Sequence, residues 1–257
     1  MFGVAQRVRL PFGSQWIARN DACGRMILRG HFERAESQFV ESFLKPGMTV
    51  LDIGAHHGYY SLLASQKVGP TGRVIAFEPS PRERAHLIEH LRINPCTNTR
   101  VEPSAMGETA GFSELYVVNG KETGFNSLRP PEVSEATTTT QVQVIRLADY
   151  LEQNQIPVVD FIKLDVEGGE LGVLKGAGRF LDRSPRPVIL CEVDDARTRP
   201  WGYAAREVLE YLEKRGFQWF LPQQAGRLGA LPVDRAALAG NFVAVPEEKR
   251  ETVLGGF

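Results

Sequence analysis

The stretch TVLDIGAHHGYYS, residues 49–61, joins an apolar run to a glycine-containing turn. Residues 49–55 predict a buried parallel strand, because a strand covered on both faces carries a continuous apolar run rather than an alternating one. Residues 59–68 then place apolar side chains at helical spacing. The stretch therefore predicts a strand, a tight turn and a helix in direct succession.

The same alternation continues downstream. Apolar runs bounded by turn residues predict further strands, and segments of helical spacing separate most of them. The predicted strands are residues 73–79, 160–166, 186–194, 217–222 and 241–246, and the predicted helices are residues 81–94, 148–154, 170–182 and 202–216. Strands that alternate with helices indicate an α/β domain whose parallel sheet has helices on both faces.

The flanking and central segments interrupt this pattern. Residues 1–48 predict a short hairpin and a helix at 33–44, and we interpret them as an N-terminal extension or cap packed on a core domain of residues 49–257. Within that domain an insertion is predicted at about 108–147. Its segments are a strand at 111–118, a polar loop or lid at 119–140 and a half-exposed strand at 141–147. A further strand is predicted at 99–107.

Composition and charge exclude several classes of protein. The chain has 257 residues, and 30 Lys and Arg against 31 Asp and Glu give a formal net charge of −1, which disfavours a nucleic-acid partner. No apolar stretch approaches the roughly 18 residues of a membrane span, and no signal peptide is indicated, so we expect no membrane association. The cysteines (Cys23, Cys96 and Cys191) lie far apart, which suits reduced thiols in the cytoplasm.

Glu78 ends the second predicted strand, 24 residues after Gly54. A glycine turn followed by such an acid is a nucleotide-ribose pattern, because glycine admits the ligand and the carboxylate accepts hydrogen bonds from ribose hydroxyls. A dinucleotide fingerprint would require glycine where the chain has His56, so a nicotinamide-dependent oxidoreductase is disfavoured. S-adenosylmethionine has a ribose and no phosphate, and Asp52 is placed to engage its methionine part. The alternative is a tight turn followed by a surface acid.

The runs VLDIGAHHGYYS (50–61), VIAFEPSP (74–81) and FIKLDVEGGE (161–170) resemble the FkbM-type S-adenosylmethionine-dependent methyltransferases. The resemblance extends from about Glu33 to Phe220. It implies a Rossmann-like class I methyltransferase fold, with a mostly parallel seven-stranded sheet, helices on both faces and an antiparallel last strand. Two positions depart from the family pattern. Gly169 stands where the family has Ala or Ser, and the pair His56 and His57 stands where it commonly has an Asn and a variable residue.

The resemblance also implies site residues. Ser104 and Ala105 fall at the end of the third strand, the usual place for adenine contacts, and Asn126 and Ser127 match an element of the insertion near the substrate. The full set expected to bind the cofactor is Glu33, Asp52, Gly54, Ala55, His56, Gly58, Glu78, Pro79, Ser80, Ser104, Ala105 and Asp165.

Asp165 and Glu192 would end the fourth and fifth strands of the sheet, beside the methyl group. Either is a candidate general base, and His57 is a third because histidine titrates near neutral pH. Asp165 and Glu192 together could instead hold Mg²⁺, but two acids are a thin ligand set, so no metal ligands are predicted. Glu167 and Glu170 are expected to begin a helix, where the helix dipole favours negative charge.

Three other histidines receive no predicted role: His31, His86 and His90. The last two lie on a helix that we expect at the surface. Arg197, Arg199 and Trp201 follow the fifth strand and either line an acceptor site or form a polar loop.

The resemblance implies an S-adenosylmethionine-dependent enzyme, with O-methylation of a small-molecule acceptor such as a sugar, a polyketide or another secondary metabolite as the leading expectation. Two alternatives stay open: a non-catalytic protein of the same fold that binds S-adenosylmethionine as a scaffold, and a methyltransferase that acts on a protein or another nitrogen nucleophile. The sequence does not choose among oligomeric states, of which a homodimer is one.

Overall fold

The structure is a computed structural model that describes residues 5–232 and 237–255. Predictions that fall on residues 1–4, 233–236 and 256–257 lie outside the described residues. The strands are β1 (Gln6–Arg9), β2 (Gln15–Ala18), β3 (Thr49–Ile53), β4 (Arg73–Phe77), β5 (Thr99–Glu102), β6 (Ala105–Met106), β7 (Gly111–Val118), β8 (Thr137–Ile145), β9 (Phe161–Leu164), β10 (Val188–Glu192), β11 (Phe217–Pro222), β12 (Leu228–Ala230) and β13 (Asn241–Pro246).

The α-helices occupy the connections between these strands. They are α1 (Ala22–Leu28), α2 (Arg34–Phe43), α3 (Tyr59–Val68), α4 (Pro81–Arg92), α5 (Leu147–Gln153), α6 (Glu170–Gly176), α7 (Asp195–Thr198), α8 (Arg206–Glu213) and α9 (Arg250–Gly255). Over the described ranges, no helix is both long enough and apolar enough to cross a membrane.

The main sheet has the strand order β12-β11-β13-β10-β9-β3-β4-β5. The strands from β10 to β5 are parallel, whereas β13 runs antiparallel to both β10 and β11. The expected mostly parallel sheet with an antiparallel last strand is confirmed. The short strand β12 adds an eighth member at one edge, beyond the seven that were expected.

The chain reverses its direction of travel through the sheet between β3 and β9. From β3 it proceeds outward to β4 and β5, and it then returns to the other side of β3 as β9. Open α/β sheets bind ligands at the carboxyl ends of the strands at such a switch point. The topology therefore places the candidate site where β3 and β9 end.

Apolar side chains fill both faces of the sheet. Leu51 and Ile53 of β3 face a cluster formed with α5, α6 and α8, whereas Val50 faces a second cluster formed with α2, α3 and the N-terminal hairpin. Successive residues of a strand point to opposite faces, so a strand buried on both sides must be apolar throughout. This explains the continuous apolar run in β3.

Residues between β5 and α5 form a separate small sheet. Its order is β6-β8-β7, and β7 pairs antiparallel with β8 along eight register positions. The four threonines at 137–140 belong to β8, because β-branched side chains suit extended backbone. The polar loop predicted at 119–140 is therefore shorter, and the predicted strand at 141–147 begins earlier.

Three predicted elements differ from the structure by more than a few residues at their ends or in their continuity. The single strand expected at 99–107 is two strands in different sheets, because Pro103, which has no backbone N–H, separates β5 from β6. The helix expected at 170–182 ends as α6 at Gly176 and continues only as a 3₁₀ turn, with Gly178 at φ 54°. The helix expected at 202–216 is limited to α8. The proposed division at residue 48 stays a prediction.

We expect Gly58→Ala to destabilise the protein more than Gly202→Ala. Both glycines adopt the left-handed conformation (φ 87°, ψ 27° and φ 79°, ψ 22°). A Cβ on Gly58 would lie 2.3 Å from Cδ1 of the fully buried Leu87, whereas a Cβ on Gly202 meets nothing within 4 Å. The control should cost about 1–2 kcal/mol of backbone strain, and Gly58→Ala about 1–3 kcal/mol more. Urea unfolding measures both, and equal losses would contradict the steric argument.

Candidate functional site

A cavity of about 340 Å³ opens at the carboxyl ends of β3, β4 and β9. Most residues predicted from the sequence line it, and they come from seven separate segments of the chain. The predicted residues in its wall are Glu33, Asp52, Gly54, Ala55, His56, His57, Glu78, Pro79, Ser104, Ala105, Asn126, Ser127, Asp165 and Glu192. Gly58 and Ser80 are predicted cofactor residues that do not line it. Gly58 is the N-cap of α3, and buried Ser80 is the N-cap of α4.

The turn after β3, residues 54–58, is held close to the end of β9. A Cβ on Gly54, whose φ is 85°, would lie 1.7 Å from the backbone oxygen of Asp165. The amides of Gly54 and Ala55 both donate to the carbonyl of Phe77, at 3.0 Å each. Glycine is therefore required here by two independent constraints: the left-handed backbone and the absence of room for any side chain.

Glu78 connects this turn to the end of β4. Its carboxylate accepts hydrogen bonds from the backbone amides of His56, at 2.7 Å, and Ser80, at 2.8 Å. The side chain is buried, and burial raises its pKa from the ordinary value to about 8. Each oxygen holds one backbone donor, so each retains a lone pair for a hydroxyl group of a ligand in the cavity.

Two further acidic residues line the cavity, Asp52 of β3 and Glu33 beside α2. Asp52 is buried and accepts a 2.5 Å hydrogen bond from Ser61, and burial raises its pKa to about 6. Glu33, at the start of α2, accepts a 2.5 Å hydrogen bond from the hydroxyl of Tyr60. Burial raises the pKa of Glu33 as well.

Asp165, Glu167 and Glu192 form an acidic trio in which carboxylate oxygens lie within 4.8 Å of one another. Two members have cationic partners. Lys163, only 2% exposed, donates to Asp165 Oδ2 at 2.9 Å, and Arg197 Nε lies 3.1 Å from Glu167 Oε2. Within the part of the chain that the structure describes, buried Glu192 Oε2 has no hydrogen-bond partner. Burial and the neighbouring Asp165 raise the pKa values of Glu167 and Glu192 far above the ordinary range.

The prediction that Glu167 begins a helix is wrong. Glu167 lies in the turn before α6 and has a φ of 54°. Gly169 caps α6, which begins at Glu170. Glu170 is the first residue of α6, as predicted. Its carboxylate accepts hydrogen bonds from the amides of Val166 and Gly168 and so fixes the turn before the helix.

The insertion and the segment after β10 meet above the trio. The carbonyl of Glu167 accepts hydrogen bonds from the Ser127 hydroxyl, at 2.8 Å, and from Trp201 Nε1, at 3.2 Å. The guanidinium of Arg197 lies 3.7 Å from the centre of the Phe125 ring. Ser127 lines the cavity as expected, and Trp201, for which the sequence left a polar loop open, lines it too. Arg199 is exposed and pairs with Glu132.

The histidines depart most from expectation. His57 is only 2% exposed and stacks on His56 with ring centres 3.8 Å apart. His90 is fully buried rather than at the surface, since it stacks on Trp16 at 3.9 Å between the hairpin and α4. Its ring accepts from the amide of Ile17 and therefore donates, through Nδ1, to the carbonyl of His57.

Sequence reasoning missed several groups around the cavity. Lys163 lies within the motif at 161–170, and no role is predicted for it from the sequence. A lysine inside a buried strand is nevertheless a usable signal of an ion pair. Trp16, Cys23 and Phe32 line the cavity from the N-terminal segment, and no local pattern marks them. No described residue after Trp201 lines the cavity.

The strand order with an antiparallel β13, the switch point at β3 and the glycine turn facing a buried acid define a class I methyltransferase fold. A family model described as the methyltransferase FkbM domain matches residues 52–219, which is more than half of the chain. The chain belongs to the FkbM methyltransferase family.

Individual relatives are distant. The chain is 27% identical over 163 residues to the 2-O-methyltransferase NoeI of Sinorhizobium fredii, covering 59% of this chain and 66% of the relative. It is 26% identical over 211 residues to the 31-O-demethyl-FK506 methyltransferase FkbM of Streptomyces tacrolimicus, covering 68% and 77%. The crystal structure of a methyltransferase FkbM from Methylobacillus flagellatus superimposes with a TM-score of 0.47 at 18% identity, over 80% of this chain and 48% of that one.

We expect the free energy of unfolding to fall as pH rises, in part through Glu170. This carboxyl is 1% exposed, and burial raises its pKa from 4.5 to about 7. The folded state therefore holds the proton more tightly than the unfolded chain. Its contribution is complete below pH 4.5 and is lost as pH rises through about 7, by at most about 1.4 kcal/mol per unit.

Glu170→Gln, which keeps an oxygen acceptor, should make this dependence less steep. Exposed Glu213→Gln is the control and should leave the slope unchanged. Urea unfolding between about pH 5 and about pH 8 measures all three proteins. Parallel curves for wild type and Glu170→Gln would refute the assignment.

Proposed function

We propose that this protein transfers the methyl group of S-adenosylmethionine to a hydroxyl group of a small-molecule acceptor. The observation that carries the proposal is the convergence, in one cavity, of the Gly54 turn, buried Glu78 and the partnerless oxygen of Glu192. The turn and Glu78 suit a nucleoside, and a free carboxylate oxygen suits proton removal. Family membership supports the same reaction class.

The cavity residues fit the cofactor. Glu78 would accept from the ribose hydroxyls through its free lone pairs, and the lack of a side chain at Gly54 leaves the backbone accessible. Ser104 and Ala105 would flank the adenine, while Asp52 and Glu33 would face the methionine part. S-adenosylmethionine supplies a methyl group on a sulfonium, so an excess of carboxylates complements its positive charge.

Glu192 is the member of the acidic trio best suited to act as the general base. Asp165 Oδ2 and Glu167 Oε2 each face a cationic side chain, so these oxygens are less free to accept a proton from a ligand. Once ionised, Glu192 has an oxygen free to accept the hydroxyl proton, and its raised pKa makes the ionised form a stronger base than an ordinary carboxylate. The acceptor oxygen would then form its bond to the methyl carbon as the carbon–sulfur bond breaks, and the proton would reside on Glu192.

The chemistry of the cavity points to a neutral hydroxylated acceptor. Its acids outnumber its cations, so a phosphorylated or carboxylated acceptor would meet repulsion. Two distant relatives are named for methylation at oxygen positions, which agrees with this choice. The absence of a nucleic-acid partner stays a prediction from the net charge.

We expect S-adenosylhomocysteine to bind, and its affinity to rise between about pH 6 and about pH 8. Glu78 must be ionised to accept two ribose hydroxyls, and its pKa in the free protein is about 8. Glu78→Gln should weaken binding by about 1–3 kcal/mol and flatten this pH dependence. Calorimetric titration measures both, with Glu102→Gln, outside the cavity, as the matched control. Failure of the wild type to bind would refute the proposed function.

We expect Glu192→Gln to lower kcat by about 10²–10⁴-fold and to leave cofactor affinity within about threefold, because only proton removal is lost. The measurement is methyl transfer from labelled S-adenosylmethionine to a panel of neutral polyols, glycosides and macrolides. Asp165→Asn should lower both turnover and cofactor affinity, since Lys163 would lose its carboxylate partner. Unchanged turnover in Glu192→Gln would exclude it as the base. Tight cofactor binding without transfer to any acceptor would favour the scaffold alternative.

A further inference from the structure

A second group of chemically active side chains lies beside the turn after β3, and the proposed reaction does not use it. We call it the histidine cluster and define it as His56, His57, Glu83 and His86. The first two follow β3, and the last two lie one turn apart on α4, so the cluster joins two elements. His57 and Glu83 are 2% and 0% exposed.

The ring nitrogens and the carboxylate approach one another closely. His57 Nε2 lies 3.1 Å from His86 Nδ1 and 3.9 Å from Glu83 Oε2. His56 offers a ring nitrogen that, with atoms of His57 and Glu83, fits within a mutual distance of 4.8 Å. Ligands that share one four-coordinate ion at about 2.0–2.2 Å stand about 3–4 Å apart, so these spacings approach those of a metal site.

The protonation states also favour metal binding. Burial lowers the pKa values of His56, His57 and His86, so the imidazoles are neutral near pH 7 and carry lone pairs. Arg82 holds the pKa of Glu83 well below its usual range, so this group is a carboxylate. His57 Nε2 and His86 Nδ1 lie 3.1 Å apart, so one of them carries its ring proton in the metal-free protein. When an ion binds, that proton moves to the other nitrogen of the same ring.

Surrounding residues orient the ligands. Glu83 accepts from Asn126 Nδ2 through Oε1. Among the residues that the structure describes, Oε2, the oxygen nearer His57, accepts one hydrogen bond, from Arg82 Nε, and retains a lone pair. His90 holds the backbone of His57. Second-layer hydrogen bonds of this kind fix the direction of metal ligands. His56 and His57 line the cavity, which provides an entry path for an ion.

We propose that the histidine cluster binds one divalent transition-metal ion of the Zn²⁺ class, with His56, His57 and Glu83 as ligands and His86, whose Nδ1 lies 3.1 Å from His57 Nε2, at the fourth position. Imidazole nitrogen favours such ions, whereas the all-oxygen trio around Asp165 is suited to Mg²⁺ or Ca²⁺. The ion would join the turn after β3 to α4. The proposal is independent of methyl transfer, because binding requires neither cofactor nor acceptor.

Co²⁺ is the probe, because in tetrahedral nitrogen-rich sites it gives intense visible absorption. The full chain is freed of metal by chelation and titrated with Co²⁺. We expect saturable absorption at one equivalent, which Zn²⁺ abolishes by displacement. His86→Ala, which removes a ligand outside the cavity wall, should lose the absorption and weaken binding at least about tenfold. His31→Ala, at an exposed histidine, is the matched control and should behave as wild type.

Three results would overturn the proposal: no intense absorption in wild type, equal absorption in His86→Ala, or a weak six-coordinate spectrum that Asp165→Asn abolishes. Circular dichroism and urea unfolding establish that His86→Ala is folded. Glu83→Gln gives a second test, because it retains the shape of the side chain and removes the charge. S-adenosylhomocysteine binding in the same samples reports the proposed function separately, so the two proposals fail distinguishably.

Discussion

The contact between the turn after β3 and the end of β9 is the constraint on which the site depends. Gly54 lies against the carbonyl of Asp165, and the amide of Asp165 donates a 3.0 Å hydrogen bond to the carbonyl of Ile53. Because these contacts hold the two strand ends together, the turn after β3 and the acidic trio line the same cavity. Glu78 extends the same arrangement to β4 by holding the amide of His56.

The sequence predicts those parts of the molecule that local patterns encode. The apolar runs of β3, β4, β9 and β10 follow from burial on both faces, and the strand order follows from a family resemblance carried by three motifs. Fourteen of the predicted site residues line the cavity for the same reason, since each follows a recognisable strand end or motif. Gly58 and Ser80 belong to the same motifs, but they do not line the cavity; they are the N-cap residues of α3 and α4.

The remaining features depend on contacts between distant segments. His90 lies on a helix whose sequence is mostly polar, and only its stacking with Trp16, 74 positions earlier in the chain, buries it. In the histidine cluster, His56 and His57 are separated from Glu83 and His86 by 26 to 30 positions with no recognised spacing motif, so composition and cysteine pattern gave no indication of a metal site. Glu167 enters the acidic trio because its backbone is left-handed, which a helix-start pattern does not reveal.

The position of β13 has a consequence for biogenesis. This strand follows β11 in the chain but lies between β10 and β11 in the sheet, and its Asn241 accepts a 2.9 Å hydrogen bond from Lys163, the partner of Asp165. During synthesis the ribosome delivers β11 before the strand that connects it to the rest of the sheet. A nascent chain therefore has neither a continuous sheet nor a fully partnered Lys163 until β13 emerges, and it would expose the β10 edge to chaperones until then.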